Sequence, residues 1–140
     1  MANIVELRSM SDADILDLLE NAREEMFNLR FQKAQGSLEN VARIRRVRRE
    51  IAQFNEVLGK RKWAIEEASK EPQVASALEG KEWTATSSYN YEDGVWVVNF
   101  NDGDSKLATA TVDLNKKRRR TRRNRDNRPP VQKVVRVEVS

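Results

Sequence analysis

The sequence predicts an α+β chain: an antiparallel two-helix hairpin, then a small antiparallel β meander and a basic tail. Three observations predict it. Residues 11–35 and 41–67 each carry one apolar stripe at three-to-four spacing, separated by a short turn. From Pro72 the apolar period falls towards two, with turn signals at Asp93-Gly94 and Asn101-Asp102-Gly103. Charge is sorted by segment, with 13 Lys/Arg against 12 Asp/Glu over 1–70, 2 against 8 over 71–115, and 11 against 2 over 116–140. The expected domains follow these shifts: a helical hairpin over 1–70, a β module over 71–115, and a basic tail over 116–140 that ends in a candidate strand.

The first helix has a strong start signal. Ser11 is placed to N-cap and Asp14 to close a capping box, with Met10 and Ile15 where a hydrophobic staple would sit. Asp12, Asp14 and Asp17 put negative charge at the positive end of the helix dipole. Ile15, Leu18, Leu19, Ala22, Met26 and Leu29 form its stripe, and Gly36 follows as a helix stop. Asn40 is placed to cap the second helix. Its stripe is Ile44, Val47, Ile51, Phe54, Leu58 and Ile65, within which Ile44, Ile51, Leu58 and Ile65 repeat every seven residues as a heptad seam. Gly59 weakens this helix by about 1 kcal/mol relative to Ala without interrupting the seam. Two arms of about 35–40 Å joined by a short loop fold back on each other. Such a hairpin buries one seam and suits lying along a large surface better than enclosing a pocket.

The stretch 71–80, with Pro72 and Gly80, reads as a linker or frayed helix. Trp83, Ala85, Ser87, Tyr89 and Tyr91 alternate, Val95 to Phe100 is a second strand, and Leu107 to Leu114 a third. Trp83, Tyr89, Trp96 and Phe100 are the expected apolar material of the meander. Residues 116–128 are too charged to form a core. Val131 to Val139 read as one last strand.

Several function classes are excluded or disfavoured. The chain has no cysteine and no histidine, which removes thiolate ligands, disulfides, the commonest metal ligand and the commonest general base. Carboxylate pairs such as Glu24/Glu25 and Glu66/Glu67 fall on predicted helix surfaces, and the glycines near the β strands belong to turns, not to a phosphate loop. We therefore expect no catalytic site, metal, cofactor or small-molecule substrate. No segment has the apolar length of a membrane span, and the N-terminus has neither the basic nor the apolar region of a secretory signal.

Three groups of residues remain as candidate contacts. Arg43, Arg45, Arg46, Arg48 and Arg49 fall within seven residues of the second helix. Arginine gives planar, multi-donor recognition of phosphate, so this is either an RNA-facing surface or a solvated face with internal ion pairs such as Arg46–Glu50. Phe27 and Phe31 lie off the first helix's stripe beside Arg23, Asn28 and Arg30. They stack on bases or fill a partner's pocket, or cover Ile4, Val5 and Leu7 of the N-terminal segment, and the two roles are compatible. The run Lys116, Lys117, Arg118, Arg119, Arg120, Arg122, Arg123 and Arg125 is either an RNA-contacting extension or a solvated tail. Trp63 is expected to pack against the C-terminal module.

Beyond composition, three motifs occur in order: Glu6-Leu7-Arg8 with Ser11-Asp12, then Phe27-Asn28-Leu29-Arg30-Phe31-Gln32, then the run from Leu38 through Arg43-Ile44-Arg45-Arg46-Val47-Arg48-Arg49 to Ala52. Together they resemble large-subunit ribosomal protein twenty-nine, the universal L-twenty-nine family, over about residues 3–66. Bacterial members often have Pro where this chain has Val41. The resemblance implies a helical hairpin on the large ribosomal subunit of the cytoplasmic ribosome. It implies binding to large-subunit ribosomal RNA near the nascent-chain tunnel exit, beside ribosomal protein twenty-three and within reach of nascent-chain factors. Carried over by position, it implies an RNA-facing set of Arg30, Asn40, Arg43, Arg45, Arg46, Arg48 and Arg49, with Phe27 and Phe31 packing against RNA or a neighbour. Residues 71–140 lie outside it. The rival readings are a free coiled-coil or RNA-binding regulator, a DNA-binding protein and an enzyme seated in the β module.

Overall fold

The computed structural model describes residues 3–117 and 131–140. The order of elements is α1 (Ile4–Ser9), α2 (Asp12–Ala34), α3 (Ala42–Ser69), α4 (Pro72–Leu78), β1 (Thr84–Asn90), β2 (Val95–Asp102), β3 (Ser105–Val112) and β4 (Val134–Val139). The chain divides into two compact units, Met1–Lys60 and Arg61–Ser140.

The first unit is the helical hairpin preceded by a short helix that the sequence did not announce. Asn3 caps α1, accepting from the Val5 N–H, and Glu6 closes the reciprocal box. The purpose of α1 is visible in Leu7, which is fully buried in one cluster with Ile15, Leu19, Met26, Ile44, Val47 and Phe54. Its burial is worth about 1.5–3 kcal/mol. Ser11 caps α2 by accepting from the Asp14 N–H at 3.2 Å, and its own hydroxyl donates to the Asp14 carboxylate at 2.6 Å. Met10 packs partly buried against the cluster that holds Ile15, as the staple requires. Gly36, at φ 74°, ends α2 in a Schellman turn: its N–H reaches Lys33 O and the Ser37 N–H reaches Gln32 O. Asn40 then starts α3, its Oδ1 accepting from the Ala42 N–H at 3.0 Å.

The helices and their stripes match expectation, with one correction on α3. Val47, Phe54, Val57, Ala64 and Ala68 are buried, whereas Ile51, Leu58 and Ile65 are only partly so. Ile44 is buried too, but beyond it the buried line runs Val47–Phe54–Arg61–Ala68 and not Ile51–Leu58–Ile65. The seven-residue repeat was real, but a second repeat offset by three residues wins the core. Small Ala68 sits on it and Ala64 lies one turn before, both buried, and periodicity among the large aliphatics alone overlooks them.

The second unit is a four-stranded antiparallel sheet in the order β1-β2-β3-β4. The expected last strand forms and joins the sheet as its fourth member, so residues 116–128 lie between β3 and β4. Pairing places three rows on the inner face: Ala85–Phe100–Ala108–Val139, Ser87–Val98–Ala110–Val137 and Tyr89–Trp96–Val112–Val134. That face packs against Ala64 and Ala68 of α3 and against Val74 and Leu78. The last two belong to α4, so 72–78 is a packed helix and not a linker. Pro72 at its first position supplies the preset φ of a helix start. The second turn falls one residue later than expected. Asp102 pairs with Ser105, leaving Gly103 (φ 59°) and Asp104 as a two-residue loop.

Candidate nucleic-acid interface

The arginines of α3 take their positions from the buried line. Ile44 and Val47 face the hairpin core, which turns Arg45 and Arg49 to the opposite side and leaves Arg46 and Arg48 on the flanks. All four are exposed. Arg45 and Arg49 lie one turn apart, about 6 Å along the axis. Among the described residues no hydrogen bond or ion pair is made by the side chains of these four. The Arg46–Glu50 pair suggested by spacing does not form.

Arg43 behaves differently. Its Nε donates to the Glu25 carboxylate of α2 across the hairpin. That hydrogen bond, then the charges of Glu25 and Glu50, hold the Arg43 guanidinium above its ordinary range. Arg43 is therefore an inter-helix tie as well as an exposed cation. Asn40 is likewise engaged, its side-chain oxygen used in starting α3. Arg30 is exposed on α2.

Phe27 and Phe31 are 69% and 56% exposed, so they do not cover the N-terminal segment. Leu7 is instead buried against Ile15 and its neighbours, and Val5 stays exposed. Of the two readings of these aromatics, the structure removes the covering one. Phe27 lines a shallow depression with Arg23, Glu24 and Asn28.

In the second unit Lys116 and Lys117 are exposed, while Arg118, Arg119, Arg120, Arg122, Arg123 and Arg125 lie outside the described residues. The chain on either side of that run is held together. The Asp113 N–H donates to Lys133 O at 2.8 Å, and Lys133 Nζ donates to Leu114 O and Lys116 O at 3.3 and 3.1 Å. Lys133 also sits 4.8 Å from the centre of the Trp63 ring, whose Nε1 donates to Glu67 at 3.2 Å. Trp63 thus packs with the C-terminal module as expected. Lys133 was not singled out by sequence, because one lysine at the start of a run of valines has no signature until its partners are known. Lys70, Lys116, Lys117 and Lys133 line an open groove of about 800 Å³ with Glu67 and Glu71. Among the described residues no group of acidic side chains is placed to hold a metal ion, and no helix is long and apolar enough to cross a membrane.

The comparisons with known proteins fall on the hairpin. A family model described as Ribosomal L29 protein matches residues 5–61. The large ribosomal subunit protein uL29 of Frankia alni is 48% identical over 65 residues, covering 46% of this chain and 73% of the relative. That of Carboxydothermus hydrogenoformans is 42% identical over 65 residues, 46% of this chain and 94% of the relative. That of Enterococcus faecalis is 49% identical over 55 residues, 39% and 89% respectively. No solved structure matches the chain. On these relatives, the chain belongs to the Ribosomal L29 protein family, which is structural and non-enzymatic.

Proposed function

We propose that the protein is a structural constituent of the large ribosomal subunit that binds large-subunit ribosomal RNA through the arginine face of α3. The observation that carries this is the set Arg45, Arg46, Arg48 and Arg49: four exposed cations on under two turns, none of them in an ion pair among the described residues. Held in one helix, they repel one another, and a polyanionic backbone relieves that repulsion while gaining the entropy of released counter-ions. Arg30, Asn40 and Arg43 border this face. The exposed Phe27 and Phe31 pack against RNA or a neighbouring protein, for which ribosomal protein twenty-three near the tunnel exit is our reading, with nascent-chain factors within reach. The run from Lys116 to Arg125 adds a second electrostatic contact with RNA. The protein acts on the cytoplasmic ribosome.

The test is sucrose-gradient sedimentation of tagged protein, washed at moderate and then high salt. Wild-type protein is expected in the large-subunit peak after the moderate wash. Arg45→Gln with Arg49→Gln is expected to lower the salt slope of binding to a large-subunit RNA fragment by about one per arginine, with unchanged helix content by circular dichroism. Protein absent from the subunit peak would sink the ribosomal reading. An unchanged slope would remove the α3 face from the contact.

A further inference from the structure

Of the two edge strands of the described sheet, β1 and β4, the second carries a pattern that lies outside the hairpin. β4 lies at the sheet's end, paired with β3 and with no further strand among the described residues. Its sequence about Val137 reads Val135-Arg136-Val137-Glu138-Val139. It is symmetric in its apolar residues and antisymmetric in charge.

The ladder sets which backbone groups are free. The Ser140 N–H donates to Leu107 O, and Glu138 lies opposite Thr109 and Arg136 opposite Thr111. Hydrogen-bonded pairs alternate in an antiparallel ladder, so Arg136, Glu138 and Ser140 direct their N–H and C=O groups inward to β3. Val137 and Val139 direct theirs outward. Val135 is extruded by the irregularity between Thr111 and Val112, where Arg136 and Val134 take consecutive partners. It is 60% exposed and Val139 is 49% exposed.

A second β4 approaching antiparallel must set outward-facing residues against outward-facing residues. A two-fold axis through Arg136 sets arginine against arginine. One through Glu138 sets glutamate against glutamate. One through Val137 sets Val135 against Val139 and Arg136 against Glu138, each twice. Both charged side chains lie on the sheet's outer face, where they already pair within one chain at 2.5 Å. A protected edge typically carries lysines, proline or a buried charge, whereas this one carries one charge of each sign placed evenly about a central valine.

We propose that β4 is a homodimer interface: two copies of the free chain join their sheets edge to edge through an antiparallel β4–β4 pair centred on Val137. The hydrogen bonds come from the outward groups of Val137 and Val139, and the two Arg136–Glu138 pairs select the register.

Sedimentation equilibrium of the purified, nuclease-treated full chain over a concentration series tests it. A monomer–dimer equilibrium is expected. Glu138→Arg places arginine opposite arginine twice and should weaken it by about tenfold, since two attractive cross-strand pairs become repulsive. The exchange Arg136→Glu with Glu138→Arg reverses both signs, restores the complementarity and should restore the dimer. Val137→Pro removes an outward N–H that β3 does not use, so it should abolish dimerisation and leave the sheet's circular dichroism intact. A monomer at every concentration would overturn the proposal and leave the edge to a strand from a different protein. So would a double exchange no tighter than Glu138→Arg, or a dimer indifferent to Val137→Pro.

Discussion

Glu56 commits its charge within a single helix. Its carboxylate is held below the ordinary range, first by the hydrogen bond from Lys60 one turn on, then by the Lys60 charge, with a smaller contribution from Arg8. Lys60 Nζ lies 2.7 Å away, with the Glu56 side chain half exposed and that of Lys60 one-third exposed. Such a pair is worth about 0.2–0.5 kcal/mol. A carboxylate whose folded pKa lies below its unfolded value stabilises the fold above the unfolded value, and that stability disappears as pH falls through the lowered folded value. Glu56→Gln should therefore cost a few tenths of a kcal/mol at neutral pH, by urea titration. The difference from wild type should close in acid. A difference that persists once the carboxylate is protonated would mean the ion pair is not its source. Arg43 illustrates the other case, a cation used within the hairpin. Sequence placed it in one group with its four neighbours, because position on the helix does not reveal which arginine finds a carboxylate on α2.

At the scale of elements, local chemistry was legible wherever a terminus has its own signature. Ser11, Gly36 and Asn40 act where their residue types predicted, because capping uses backbone groups within a few residues. Gly36 tests this directly. A Cβ built there meets nothing within 4 Å, yet φ is +74°. Gly36→Ala should thus cost about 1–2 kcal/mol from backbone strain alone, read as a lowered urea midpoint with unchanged slope. A neutral outcome would show that the turn relaxes without loss. By contrast α1 and α4 have six and seven residues, too short for periodicity to declare them. They exist because Leu7, Val74 and Leu78 are fully or nearly fully buried, and only the packed cores show that.

For the whole molecule, the two cores share no residue. Leu7 belongs to the hairpin cluster and Leu78 to the sheet cluster. Leu7→Ala and Leu78→Ala should each cost about 2–5 kcal/mol, and the double variant should equal their sum within about 0.5 kcal/mol. Helical ellipticity and the fluorescence of the three tryptophans, Trp63, Trp83 and Trp96, all in the second unit, follow the two cores separately. A coupling well beyond that margin would mean that α3, which runs from one unit into the other, transmits strain between them.

Taken alone, the sequence determined the α+β class, the hairpin, its caps, the first three strands and the group of arginines that face outward. Each of these depends on local spacing, on residue type or on a motif that needs no partner to be recognised. Tertiary structure decided the rest. It buried Val57, Ala64 and Ala68 of α3 and left Ile51, Leu58 and Ile65 only partly covered, because burial follows which side of a helix meets a partner and not which side holds the largest aliphatics. It left Phe27 and Phe31 exposed and gave Leu7 a place in the core. It seated β4 beside β3, turning a run of valines into an edge strand of the described sheet. Long-range pairing of this kind is set by which apolar faces remain uncovered after the local elements form, and that is a property of the assembled chain.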